Sequence, residues 1–106
     1  MLTIIETAAF SHWLQGLKDK ATKARLLIRL RKVSLGNLGD TKPVGDGVYE
    51  MREFFGPGWR MYYLMSQRTI VVMLGGGDKP SQDRDIQAAR KLATEYQNEQ
   101  VANPDL

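Results

Sequence analysis

The segment from Val48 to Lys79 concentrates the side chains that could act on a phosphodiester. They are two arginines, a lysine, a tyrosine and a glutamate: Arg52, Arg60, Lys79, Tyr62 and Glu50. Guanidinium and ammonium groups bind phosphate oxygens, a phenol forms hydrogen bonds, and an aromatic ring stacks on a base. These residue types therefore suit binding of a phosphodiester. The alternative is a solvated sheet face, on which arginine and glutamate pair across neighbouring strands.

Three β-strands joined by short turns are predicted to hold these side chains, over Val48–Phe55, Trp59–Met65 and Thr69–Leu74. The first two strands alternate in the way that is typical of strands with one face toward a core. If Met51 and Met61 face the core, Arg52 and Arg60 emerge together on the opposite face, with the glutamate and the tyrosine beside them. Gly75-Gly76-Gly77 is predicted to end the sheet, and the lysine follows it.

Further elements are predicted on both sides of these strands. A first strand over Met1–Thr7 leads into a helix that Thr7 caps, with an apolar stripe of Phe10, Trp13, Leu14 and Leu17. A second helix over Ala21–Leu35 is predicted to turn inward Ala24, Leu27, Leu30 and Val33, with Leu26 and Ile28 at the flanks. The segment Thr41–Gly47 is predicted to be a loop, and Pro80 and Ser81 begin the last helix.

This order of elements, β-α-α-β-β-β-α, predicts an α+β fold of two layers. A twisted, mainly antiparallel sheet carries a helical hairpin on one face. The length of 106 residues fits one domain over residues 1–106. Residues 97–106 lose the apolar periodicity, so a frayed tail is predicted there.

Composition excludes several classes of function. The chain has no cysteine and a single histidine, His12. Disulfides, thiolate catalysis and a histidine-based metal centre are therefore excluded, and neither a metal nor a cofactor is predicted. No apolar run approaches the ~18 residues of a membrane span, and no signal peptide is recognised. These features predict a cytoplasmic protein that does not enter a membrane.

Positive charge is concentrated in one region. The net charge is +3 and the isoelectric point is near 9.3. The clustered basic residues are Lys18, Lys20, Lys23, Arg25, Arg29, Arg31 and Lys32, with Lys42 in the loop that follows. Such clustering favours an anionic partner, either RNA or an acidic protein. A solvated helix face is the alternative.

The sequence resembles the RelE/ParE superfamily of bacterial toxins, in particular the HigB-like addiction module killer proteins. The resemblance extends from about Ile5 to Ala93. Its main motifs, in order, are FSHWLQGLKD, GNLGD, VYEMR, GPGWR and LGGGDKPSQDRDIQAA. Gln82 and Asp85 belong to the last motif, although capping and helix packing also explain them.

The resemblance implies the toxin of a type II toxin–antitoxin system that cleaves mRNA on the ribosome. The ribose 2′-hydroxyl attacks the adjacent phosphate. Arg60 matches the arginine that contacts the scissile phosphate, and Arg52 a basic position on the preceding strand. Lys79 would stabilise charge or donate a proton, Tyr62 would stack or donate a hydrogen bond, and Glu50 would act as a base or orient Arg52.

The resemblance also implies partners and two alternatives. The partners are the ribosome, mRNA and a cognate antitoxin, a HigA-like helix-turn-helix protein. The first alternative is a ParE-like toxin that inhibits DNA gyrase as a protein binder. The second is a catalytically inactive relative that only binds an antitoxin. Cleavage specificity and oligomeric state are not indicated by the sequence.

Overall fold

The computed structural model describes residues 1–102, with side-chain environments described through residue 99. The elements in chain order are β1 (Thr3–Glu6), α1 (Ala8–Gln15), α2 (Lys20–Ser34), β2 (Thr41–Gly45), β3 (Val48–Arg52), β4 (Arg60–Ser66), β5 (Ile70–Gly77), a short 3-10 turn (Lys79–Ser81) and α3 (Gln82–Ala102). The α+β class is confirmed, with one strand more than predicted.

The five strands form one sheet in the order β1-β5-β4-β3-β2. Only the β1–β5 pair is parallel, and the remaining pairs are antiparallel. Between β3 and β4, Arg52 lies opposite Arg60 and Glu50 lies opposite Tyr62. Residues opposite each other share a face of the sheet. The predicted grouping of these four side chains on one face is therefore confirmed.

The helices α1 and α2 pack on the other face. Phe10 of α1 and Leu26 of α2 are fully buried against Met51, Met61 and the rest of this core. The start of α1 is fixed as predicted, since the Thr7 hydroxyl oxygen accepts a hydrogen bond from the Phe10 N–H at 3.2 Å. The helical pair on one face of the sheet is confirmed.

A second core lies on the face that carries Glu50 and Tyr62. Ala89 and Ala93 of α3 are buried there against Val48, Leu64 and neighbouring strand residues. The sheet is therefore covered on both faces, whereas the sequence placed helices on only one. As a result, α3 buries part of the surface that was expected to be open.

The inward face of α2 differs from the prediction. Leu27 and Ile28 are 47% and 55% exposed, while Arg29 is buried beside Leu26 and Leu30. Arg29 turns inward because four oxygens meet its guanidinium there, those of Leu38 O, Asp40 O, Arg52 O and Glu53 Oε1, at 2.8–3.1 Å. A charge that is satisfied in this way can be buried, so the helix is rotated relative to its apolar pattern.

Two other predictions change. The predicted loop Thr41–Gly47 contains β2, which pairs with β3 at the edge of the sheet. The hairpin turn after it uses Asp46 and Gly47 with φ of 55° and 78°, which suits a tight β-turn. Residues 97–102 continue α3, and residues 103–106 of the predicted tail lie outside the described residues.

The glycines 75–77 were expected to end the sheet after Leu74. They instead belong to β5 and are its last three residues. A Cβ at Gly76 would lie 2.4 Å from the Trp13 ring, and one at Gly77 would overlap the Asp85 carboxylate. Glycine is required here because two helices approach the strand closely.

Gly76→Ala is expected to lower the free energy of unfolding by about 1–3 kcal/mol, since the indole must move out of a packed core. Chemical denaturation would measure the change. Gly75→Ala is the matched control, because nothing lies within 4 Å of a Cβ at that position. Equal stability of the two variants would contradict the close packing of Trp13 on β5.

Candidate phosphodiester-binding site

The centre of the candidate site is the pair Arg52 and Arg60 on neighbouring strands. The Arg52 side chain is 32% exposed, and its Nη2 donates to Asp40 Oδ1 at 3.1 Å. Arg60 is 6% exposed. Both guanidinium carbons lie near the Phe54 ring, at 5.6 and 6.0 Å from its centre. Two guanidiniums thus lie over one exposed aromatic ring.

Glu50 holds Arg60 rather than Arg52. Glu50 is 1% exposed, and its Oε1 lies 3.7 Å from Arg60 Nε. Its other oxygen, Oε2, accepts a hydrogen bond from Gln82 Nε2 at 2.8 Å. The expectation that Glu50 orients Arg52 is wrong in its partner, since Arg52 is paired with Asp40. A buried carboxylate that pairs with Arg60 and accepts a hydrogen bond from Gln82 positions a cation and is poorly placed to act as a base toward a substrate.

Tyr62 is fully buried under α3, so its predicted role in stacking on a base is wrong. Its hydroxyl has no hydrogen-bond partner among the described residues. Burial raises the pKa of Tyr62, and the negative charge of Glu50 raises it further. The phenol therefore stays neutral where an exposed tyrosine begins to ionise.

This burial predicts a loss of stability in alkali. The folded state keeps the proton of Tyr62 while the unfolded chain releases it near the ordinary pKa of 10.0. The stabilisation is complete below that pH, and above it the free energy of unfolding falls by about 1.4 kcal/mol per pH unit for this group. Urea unfolding of wild type and Tyr62→Phe between about pH 8 and 11 measures it. The free energy of unfolding of the variant should fall less steeply with pH than that of wild type. Identical dependence on pH in the two proteins would contradict the prediction.

Lys79 extends the site from the opposite side. It is exposed and is the first residue of the 3-10 turn after β5. Asp78 caps that turn by accepting a hydrogen bond from the Ser81 N–H at 3.2 Å. Gly58 lies against both side chains, since a Cβ there would be 3.4 Å from Lys79 Cβ and 3.5 Å from Arg60 Nη1. The backbone at Lys79 thus lies near the Arg60 guanidinium, and a role for its ammonium group stays a prediction.

Phe54 was not recognised from the sequence as a site residue. It is 73% exposed, and its ring lies beside both arginines. It is the only large apolar side chain of β3, β4 and their connecting loop that is more than half exposed. The available signal was the strand alternation, which continues from Glu50 and Arg52 to Phe54, two residues before Gly56.

The basic cluster is divided by the sheet. α2, with Lys20, Lys23, Arg25, Arg31 and Lys32, packs on the face opposite Glu50 and Tyr62. Lys18 is exposed just before α2. Lys42 lies opposite Glu50 in the β2–β3 register, on the site face. Arg29 is buried and bonded to backbone oxygens, which corrects its placement on a binding surface. Most of the cluster therefore does not adjoin Arg52 and Arg60.

Within residues 1–102, no group of three histidine, aspartate or glutamate side chains is arranged to hold a metal ion. Among the helices described, none combines the length and apolarity that crossing a membrane requires.

Comparison with known proteins identifies relatives of the sequence and of the fold. No protein-family profile matches the chain. An uncharacterised protein of Haemophilus influenzae is 40% identical over 94 residues, which span 89% of this chain and 95% of that protein. A chain in the crystal structure of the toxin–antitoxin complex RelBE2 from Mycobacterium tuberculosis matches with a TM-score of 0.60. That match has 22% identity and covers 74% of this chain and 98% of the other. The fold is therefore RelE-like.

Proposed function

Because the chain belongs to the family of the Haemophilus influenzae protein and has a RelE-like fold, we propose that it is the toxin of a type II toxin–antitoxin system. Within that class we assign it to the HigB-like endoribonucleases, which cleave mRNA on the ribosome. Its partners are then the ribosome, mRNA and a HigA-like helix-turn-helix antitoxin, in the cytoplasm.

The observation that carries the proposal is the pair Arg52 and Arg60 beside an exposed Phe54, with Lys79 on the turn next to Gly58. In this proposal, Arg52 and Arg60 bind the non-bridging oxygens of one phosphate. The Phe54 ring offers a platform for a flanking base. A positive, partly desolvated site of this kind stabilises the charge that develops on a pentacovalent phosphorane.

The proposed reaction assigns a role to each of these side chains. The 2′-oxygen bonds to phosphorus and releases its proton to solvent, while the bond from phosphorus to the 5′-oxygen breaks. Lys79 protonates the leaving 5′-oxygen, and the products are a 2′,3′-cyclic phosphate and a 5′-hydroxyl. Glu50 contributes by holding Arg60, and Tyr62 is too deeply buried to touch RNA. Positioning and charge stabilisation therefore provide most of the rate.

The experiment that tests the proposal is to express the chain without an antitoxin and to map mRNA 5′ ends during growth arrest. New ends inside translated frames would support the nuclease. Growth arrest with intact mRNA and reduced DNA supercoiling would favour the ParE-like alternative. Normal growth would favour the inactive relative and overturn the proposal.

A further inference from the structure

A cleft of about 180 Å³ lies between α2 and the loop that joins β3 to β4. The residues that line it are Arg25, Ile28, Arg29, Lys32, Glu53 and Phe55. It lies on the α1–α2 side of the sheet, away from Glu50 and Tyr62. The cleft therefore has no part in the phosphodiester site described above.

The walls of the cleft are partly apolar. Ile28 is 55% exposed although it lines the cleft. A further exposed apolar residue is Leu35, which caps the C-terminal end of α2 and is 59% exposed. Ile28, Lys32 and Leu35 are spaced by four and three residues, so they lie on one face of the helix. Exposed apolar residues on one helix face indicate a surface that a partner covers.

The rim of the cleft is positively charged. Arg25 and Lys32 form no ion pair among the described residues. The α2 sequence, KATKARLLIRLRKVS, contains no acidic residue. Glu53 is already paired with Arg29 at 3.1 Å, so it does not neutralise the rim. The charge of this surface is complementary to carboxylates.

The observations favour a protein segment over RNA. RNA recognition on such a surface would rely on phosphate contacts and on free aromatic faces for stacking. One face of the Phe55 ring is occupied by the Arg25 guanidinium, 3.7 Å from the ring centre. Ile28 and Leu35 offer RNA no hydrogen bonds. Pockets for small molecules are typically about 300–1,000 Å³, so this cleft fits a single large side chain better.

We propose that this cleft binds an acidic peptide segment of a partner protein. One large apolar side chain of the segment enters between Ile28 and Phe55, and its carboxylates pair with Arg25 and Lys32. The mode is that of an amphipathic segment in a groove. The binding itself is independent of the proposed function, which is needed only to identify the partner as the antitoxin.

The test is a fluorescence-anisotropy titration of the full chain with labelled probes. The first probe is a peptide of about 12 residues that alternates glutamate with leucine and phenylalanine. The second has the same charge with serine at every apolar position, and the third is a single-stranded RNA of similar length. The first peptide should bind at least about tenfold more tightly than the second, because anchoring needs the apolar side chain.

Variants of the protein locate the binding. Ile28→Glu should weaken the first peptide about tenfold or more, whereas Leu27→Glu should weaken it much less. The two changes add the same charge at exposed positions of α2, but only Ile28 lines the cleft. Equal losses in both variants would overturn the proposal. So would absence of peptide binding, or RNA that displaces the peptide and is itself weakened by Ile28→Glu.

Binding and function fail separately. If the chain binds the peptide but cleaves no mRNA, the proposed function is wrong and the proposal that the cleft binds a peptide is unaffected. If it cleaves mRNA but binds no peptide, the proposal that the cleft binds a peptide is wrong and the proposed function is unaffected.

Discussion

Under the proposed function, Arg60→Ala is expected to lower the rate of ribosome-dependent mRNA cleavage by about 10²- to 10³-fold, because it removes a fixed positive group from the proposed phosphate site. Arg60 is held in place before substrate binds, by the Glu50 carboxylate at 3.7 Å. Primer extension in a reconstituted translation reaction would measure the rate. A folded Arg60→Ala variant that still arrests growth would refute the central role of this residue.

The variant needs controls because Arg60 also neutralises a buried carboxylate. Its removal leaves Glu50 in the interior without a counter-charge, which destabilises a protein. Arg60→Lys retains the charge but loses the fork of donors, so it should remain folded and still lose much of the activity. Arg68→Ala, an exposed arginine in the turn before β5, should be as active as wild type. Thermal denaturation of each variant separates loss of fold from loss of chemistry.

Arg29→Met is expected to lower the free energy of unfolding by roughly 3 kcal/mol, the low end for breaking a buried charged network. The low end applies because Glu53, one of its partners, is 24% exposed. Three carbonyl oxygens of the β2 and β3 connections also lose their donor, including Leu38 O and Asp40 O at 2.8 Å. The total free energy of unfolding of such a domain is about 5–15 kcal/mol, so this loss is large.

Urea denaturation would measure this loss, with Arg31→Met as the control on the same helix. Arg31 is exposed, so its replacement should change stability by no more than about 0.5 kcal/mol. Equal effects of the two changes would mean that the buried hydrogen bonds of Arg29 contribute little.

Local rules accounted for the features that depend on neighbouring residues. The cap at Thr7 follows from a side-chain oxygen placed before an apolar helical pattern. The opposition of Arg52 and Arg60 follows from strand alternation and a short turn between the two strands. The predictions that failed depend on distant contacts. Leu27 was expected to be buried because it is apolar. Arg29 is buried instead, because carbonyl oxygens from the loop before β2 and from the end of β3 accept its hydrogen bonds.

The burial of Glu50 and Tyr62 also needed the tertiary structure. The apolar stripe of α3 was visible in the sequence, but not the sheet face on which it would pack. The face on which α3 packs decides whether Tyr62 is accessible to substrate. The glycines at the end of β5 were misinterpreted for a related reason, since a close approach of Trp13 has no local signature.

The position of β5 has a consequence for the way the protein is made. β5 is paired on one side with β1 and on the other with β4, so Thr3 finds its partner, Ile70, only late in the chain. Residues of β5 also contribute to both cores. A nascent chain that ends before β5 therefore lacks residues of both cores, and contacts of such sequence separation form slowly. If the chain acts on ribosomes as proposed, it would become active only after its own synthesis is nearly complete.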